Sequence, residues 1–258
     1  MTYQLPYTGA FAQQNDPDRF FLTLMEASAY REALWTIIAF YHEIAKTREI
    51  VSDPSLGYMR LQWWRESLEK IYAGHVTQGH EILVPLAEVI HRYDLPMALF
   101  EAVLSSRDHD LDQGTIKTLD EMCQYATDTV APLNNLVLKI LGQRDNGINQ
   151  ISCAYGMTGL LRAIPVYAAK GIFMMPSDLI SQDLLFKDEK RRGYVLDLIV
   201  QAIQQELATV GKVQSRWLRK QSALCSMQIK FIRSINYDVL DGRYGAQVAL
   251  QQLRLLVA

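Results

Sequence analysis

The chain is poor in cysteine. Its 258 residues hold three, Cys123, Cys153 and Cys225, far apart and odd in number. They read as reduced, buried thiols of a cytosol-like compartment, not as a disulfide frame or a zinc site. Glycine (14) and proline (8) are also scarce, which argues against a disordered chain or a β-sandwich. No apolar run reaches the ~18 charge-free residues of a membrane span. The best candidate is cut by Arg162, so no transmembrane segment is expected. The net charge is −2, without the basic excess of a nucleic-acid binder, and no nucleic-acid partner is expected. The first twenty residues have Asp16 and Asp18 but only Arg19 as a base, so no signal or transit peptide is expected there. A Gly-rich phosphate loop, a nucleophile elbow, a CxxC pair and a His-Glu-x-x-His helix are all absent.

What the chain does have is apolar residue, 49% of the total, recurring at helical spacing. An all-α protein follows, and the lack of any linker or repeat points to one domain over residues 1–258. The first helix is expected over Asp18–Tyr30, with Phe21, Leu24, Met25 and Ser28 on one face. The second runs Glu32–Arg48 and buries Leu34, Ile37, Ile38, Tyr41, Ala45 and Arg48. After Ser52, Asp53 caps a third helix with Pro54 in its first turn. That helix is expected to bury Leu56, Trp63, Leu68 and Ile71 and to pair Glu66 with Lys70 in solvent. Gly74 and Gly79 bracket a loop. Helices follow over Glu81–Tyr93 and Pro96–Asp112, ended by Gly114. Thr118 and Glu121 form a capping box for a helix that stops at Gly142. The next is an apolar helix from Ile151 to Gly171, which Pro165 should kink. Asp188–Trp217, Gln221–Leu240 and Gly242–Val257 complete the chain.

Two stretches carry a resemblance. Ala39-Phe40-Tyr41-His42-Glu43-Ile44-Ala45-Lys46-Thr47-Arg48-Glu49 resembles the first signature of the squalene/phytoene synthases. Leu160-Leu161-Arg162-Ala163-Ile164-Pro165, with Lys170, Gly171, Pro176 and Asp178 after it, resembles the second. Arg60-Leu61-Gln62-Trp63-Trp64 and Arg107-Asp108-His109-Asp110-Leu111 resemble two further family stretches, so the likeness covers about Asp18 to Leu185. The resemblance implies an isoprenoid-synthase-like helical bundle with a central cavity. Tyr41, Trp63, Tyr125 and Met157 are candidates for its lining.

In members with synthase activity, carboxylates on one face of each signature helix hold Mg²⁺, which binds the diphosphate leaving group. Here the corresponding positions are Ala45, Lys46 and Glu49, then Ala163, Val166 and Tyr167. His42-Glu43-Ile44-Ala45 with Arg48-Glu49, Arg60-Leu61-Gln62-Trp63-Trp64 and Gly159-Leu160-Leu161-Arg162-Ala163 with Pro165 resemble one branch of the family, that of a mitochondrial complex I (NADH dehydrogenase) assembly factor and its bacterial relatives. The resemblance therefore implies a catalytically degenerate protein with no cofactor. Its partners would be complex I subunits or another membrane-associated client, in the cytoplasm or mitochondrial matrix or peripheral on the inner membrane. Two alternatives stay open: a working prenyltransferase with an altered Mg²⁺ set, and a protein that binds an isoprenoid or phospholipid.

The remaining charges are read against plain structural roles. Lys46, Arg48, Arg107, Arg162 and Lys170 would form an anion pocket if they converge; Glu43, Glu49 and Asp110 are the partners that would neutralise them. Trp63 and Trp64 are 100° apart on a helix, so both cannot face the core; the second either packs at its rim or lines a cavity or a partner surface. His42, His80, His91 and His109 match no ligand spacing. Lys187, Lys190, Arg191 and Arg192 form one basic run. Lys212, Arg216, Arg219 and Lys220 form another, with Trp217 and Leu218 interleaved. Either could meet a membrane surface or be a solvated helix face.

Overall fold

A computed structural model of the chain describes residues 4–51, 53–75, 80–112 and 115–239. Ser52, Gly79, Gly114 and the helix expected over Gly242–Val257 lie outside these residues. Thirteen helices and no strand are found among the described residues, in keeping with the all-α expectation. Two compact units are resolved, Met1–Gly114 with Pro132–Arg144 and Thr115–Ala131 with Asp145–Ala258.

The first unit is built around α3 (Ser28–Ala45), on which α1 (Tyr7–Asn15), α2 (Pro17–Leu24), α6 (Leu83–Tyr93) and α7 (Met97–Ser105) pack. Leu34, Ile37, Ile38, Tyr41 and Ile44 are all buried on α3. The helix is apolar on nearly every side because neighbours cover nearly every side. The helix α1 was not anticipated, since its inner face is made of small residues, Thr8, Gly9 and Ala12. They admit the Trp35 ring so closely that a Cβ on Gly9 would stand 2.8 Å from it. Leu24 is exposed, because α2 ends there and no continuous face runs on to Ser28.

The third expected helix is α5 (Pro54–Tyr72), capped as expected by the Asp53 carboxylate on the Ser55 N–H at 2.8 Å. Its register differs from expectation. Leu61, Trp64, Leu68 and Ile71 form the buried stripe, whereas Leu56 is 51% and Trp63 40% exposed. Spacing alone left Trp63 and Trp64 as rivals, and Leu61 decides between them, since positions 61, 64, 68 and 71 share one face. Glu66 accepts from the Gln62 amide (3.2 Å), and the expected pair with Lys70 does not form. Short breaks divide two other expected helices, giving α4 (Thr47–Ile50) after α3 and α8 (Asp108–Leu111) after α7.

The helix α9 (Leu119–Ile140) passes from the second unit into the first. Thr118 caps its start as expected, its Oγ1 accepting from the Glu121 N–H (3.1 Å), while the Glu121 carboxylate reaches one residue further back than a capping box requires and accepts from the Lys117 N–H (2.7 Å). The second unit is organised around α10 (Ile148–Ala169), with α12 (Glu189–Thr209) and α13 (Arg216–Ser234) against it and α11 (Gln182–Lys187) against α12. Pro165 lies within α10. Gly156 brings α10 onto α9, where a Cβ would stand 2.7 Å from that of Ala126.

One expectation fails in this unit. Cys123 and Cys153 are joined by a disulfide between α9 and α10, so only Cys225 is a free buried thiol. Thirty residues separate the pair in sequence, and only helix packing makes them neighbours. Of the two readings of the second basic run, burial of Trp217 and Leu218 takes the interleaved apolar residues away from a membrane surface and favours a solvated face. In the first run, Arg192 is buried and donates to the Leu185 carbonyl, while Arg191 is tied to the Leu179 carbonyl. No helix among the described residues is long and apolar enough to cross a membrane.

Candidate functional site

In the first unit, Tyr41 and Glu43 near the end of α3, and Lys46, which caps it, join a polar cluster. Glu43 is its hub. Only 3% exposed, its carboxylate pairs with the Lys46 ammonium through Oε1 and with the Arg60 guanidinium through Oε2 (2.5 Å). The imidazole of His80 stands 3.9 Å from the same Oε2. A buried carboxylate is tolerated only with such partners. Lys46 also lies over the Phe11 ring, 5.5 Å from its centroid. Ala45 offers no polar atom, Arg48 is half-buried and Glu49 is exposed.

Beside the hub, Tyr41 lies between two guanidiniums. Arg19 is 4.8 Å and Arg107 5.5 Å from its ring centroid, and Arg107 Nη2 donates to the Tyr41 hydroxyl at 2.9 Å. Asp16 holds Arg19 (2.6 Å) and Asp110 holds Arg107 (3.3 Å). Here the arrangement is a set of cation–π and ion-pair contacts around a phenol. Of the residues expected to neutralise the cations, Glu43 takes Lys46 and Asp110 takes Arg107. His42, the residue before the hub, has its pKa lowered by burial, against the pull of Asp16. Trp63, a candidate for the cavity lining, instead stands half out of the fold against Trp64 and His80.

In the second unit, α10 carries the other signature. Arg162, Ala163 and Tyr167 are half-buried, Val166 is 55% exposed, and Lys170 caps the helix end in solvent. Met157 is buried in the core, and Tyr125 packs half-buried against it. The Cys225 thiol is pushed up to about 12 by burial, against the Thr158 hydroxyl and Arg162. Near the helix end, Leu160, Ile164, Tyr167, Ile172, Met174 and Phe186 help line a small apolar hollow. Of the five cations expected to share a pocket, Lys46, Arg48 and Arg107 belong to the first unit and Arg162 and Lys170 to the second. The sequence reading missed Arg19 and Arg60, whose roles rest on long-range partners.

The squalene/phytoene synthase family profile matches residues 12–216. The chain is 25% identical over 202 residues to the NADH dehydrogenase (ubiquinone) complex I assembly factor 6 of Homo sapiens, and 26% identical to that of Bos taurus. Each alignment covers 74% of this chain and 60% of the relative, so the chain spans less than two thirds of their length. A phytoene synthase of Arthrospira platensis is 26% identical over 170 residues, 58% of this chain and 53% of that protein. Among solved structures, the squalene synthase HpnC of Alicyclobacillus acidocaldarius superposes with a TM-score of 0.71 at 18% identity, covering 89% of this chain and 93% of that one. A ligand-bound dehydrosqualene synthase superposes with a TM-score of 0.75 at 12% identity, covering 97% and 93%. At these identities the structural likeness establishes the isoprenoid-synthase-like helical fold. The profile spans both signature stretches and most of the sequence: this chain belongs to the squalene/phytoene synthase family.

Proposed function

We propose that the chain is a non-catalytic member of its family that works as an assembly factor, with respiratory complex I as its client. The observation that supports this most is Lys46. Its ammonium, held by Glu43, sits where the family's first signature has a carboxylate. Mg²⁺ takes oxygen ligands in near-octahedral geometry. Of the six positions that carry acids in active members, only Glu49 is acidic here, and it is exposed on α4. Ala45, Ala163, Val166 and Tyr167 bring no carboxylate. This donor set does not fit Mg²⁺, and without charge neutralisation an allylic diphosphate does not ionise. The named relatives support the choice of client. Such a role implies work in the cytoplasm or the mitochondrial matrix, at the face of the membrane that holds complex I.

The test is turnover. Purified chain incubated with farnesyl diphosphate and Mg²⁺ is expected to release no pyrophosphate above the blank, and a strain deleted for it to lose assembled complex I. Steady pyrophosphate release overturns the reading, as does a normal complex I level. The apolar hollow beside Ile164 and Phe186 favours a second reading, in which the chain holds an isoprenoid or acyl tail. A lipid extracted from the same purified protein would support it, and a lipid-free extract would remove it.

A further inference from the structure

Outside the signature stretches, the second unit brings together three groups of metal-ligating type. Cys123 of α9, Cys153 of α10 and Glu206 of α12 place their sulfurs and a carboxylate oxygen within 4.8 Å of one another. They come from three different helices of one packed core, so the backbone holds them in place. Cys153 is 1% exposed, while Cys123 and Glu206 are half-buried. Met157 Sδ lies 3.5 Å from Cys153 Sγ and closes the inner side with an apolar, polarizable group. Among the described residues, the Glu206 side chain has no hydrogen-bond or ion-pair partner, so its carboxylate is available to a ligand.

We propose that, when the Cys123–Cys153 disulfide is reduced, these three residues form a Zn²⁺ site. Reduction balances with a dithiol reductant. One reductant thiolate attacks the half-buried Cys123 Sγ, the S–S bond breaks, and Cys153 leaves as a thiolate that takes up a proton. The second reductant thiol then displaces Cys123 and closes the reductant's own disulfide, leaving two cysteine thiols. Zn²⁺ displaces both thiol protons and accepts two thiolates and one carboxylate. Bonds of about 2.3 Å to sulfur put two tetrahedral ligands about 3.7 Å apart. Freed of their bond, the two sulfurs need only small rotations to reach that spacing, because their Cα atoms are 5.2 Å apart. Water fills the fourth position from the half-buried side. Two thiolates with a carboxylate suit Zn²⁺ better than the harder Mg²⁺ or Ca²⁺. Cys123 and Cys153 then alternate between a covalent bond in oxidising surroundings and a metal clip in reducing ones.

The experiment uses the full chain, reduced with a phosphine and freed of metal. Titration with Zn²⁺ is expected to load one ion per chain, with none retained by the disulfide form. Co²⁺ in its place should give thiolate-to-metal charge-transfer absorption. Glu206→Gln, on a half-buried helix position, should keep the helical circular dichroism and weaken Zn²⁺ about tenfold or more. Cys123→Ser should abolish the charge-transfer band. No binding by the reduced, folded chain overturns the site. Binding that survives Cys123→Ser marks a surface ion and overturns it as well. An affinity unchanged in Glu206→Gln removes the carboxylate and with it the three-residue assignment.

Discussion

Glu43 shows how much one side chain can decide. Its carboxylate is the common partner of Lys46 and Arg60, and both cations keep about a quarter of their side chains in water (29% and 27%). Removing the acid therefore leaves two cations that can partly rehydrate, which lowers the penalty below that of a fully buried orphan. Glu43→Gln keeps the shape and removes the charge. It should cost about 1–3 kcal/mol of stability, read as a lower urea midpoint at unchanged slope. A midpoint equal to the parent's would mean that Lys46 and Arg60 do not depend on this acid. Sequence alone placed Glu43 among the acids that would neutralise the cations, without assigning it to Lys46. It could not show Arg60, seventeen residues away on another helix. The same limit explains Trp63 and Trp64: adjacent aromatics satisfy the same spacing rule, and only packing selects the buried one.

Long apolar helices were legible as elements. The spans of α5, α9 and α10 fall within a few residues of those read from periodicity and capping residues. Short elements were not legible: α4, α8 and α11 hold too few turns to show a period, and α1 turns small residues inward. What ties elements together is less visible still. Asp145 precedes α10, and its carboxylate accepts three backbone N–H groups, from Gly147 (2.9 Å), Gln214 (2.7 Å) and Ser215 (3.0 Å). It thereby pins the start of α10 to the segment that leads into α13. Burial pushes its pKa up, but the three donors and Arg219 outweigh burial and hold it below the usual carboxylate value. A depressed pKa means that this stability is present above the unfolded pKa, near 4, and is lost as pH falls through the lower folded value. Asp145→Ala should cost about 1–3 kcal/mol at neutral pH. Urea titrations of parent and variant should converge as the pH drops below about 4. A gap that persists into strong acid would show that the side chain acts by packing rather than by charge.

For the molecule as a whole, fold and site chemistry separate. A likeness at 12% identity with a TM-score of 0.75 shows that the helical frame survives nearly complete replacement of side chains. Apolar spacing specifies that frame, and it demands little of the signature positions, so Ala45, Lys46 and Tyr167 are compatible with it. The sequence disclosed the all-α class through this spacing, and the family, with the fold that its resemblance implies, through the motifs. It did not disclose the cross-link, because Cys123 and Cys153 meet only after α9 has packed on α10. That cross-link has a consequence for the stability of the entire chain. It closes a loop of 30 residues in the unfolded state, and the chain-entropy estimate for such a loop is about 3–4 kcal/mol. Reduction without metal should therefore lower the thermal midpoint by several degrees. Amide exchange should quicken in α10 and in the α9 turns near Cys123, where the tether acts. The Cys123→Ser variant should melt where the reduced parent does and be indifferent to reductant. If reduced and oxidised chains melt together, helix packing alone sets the stability, and the disulfide follows from proximity without contributing to it.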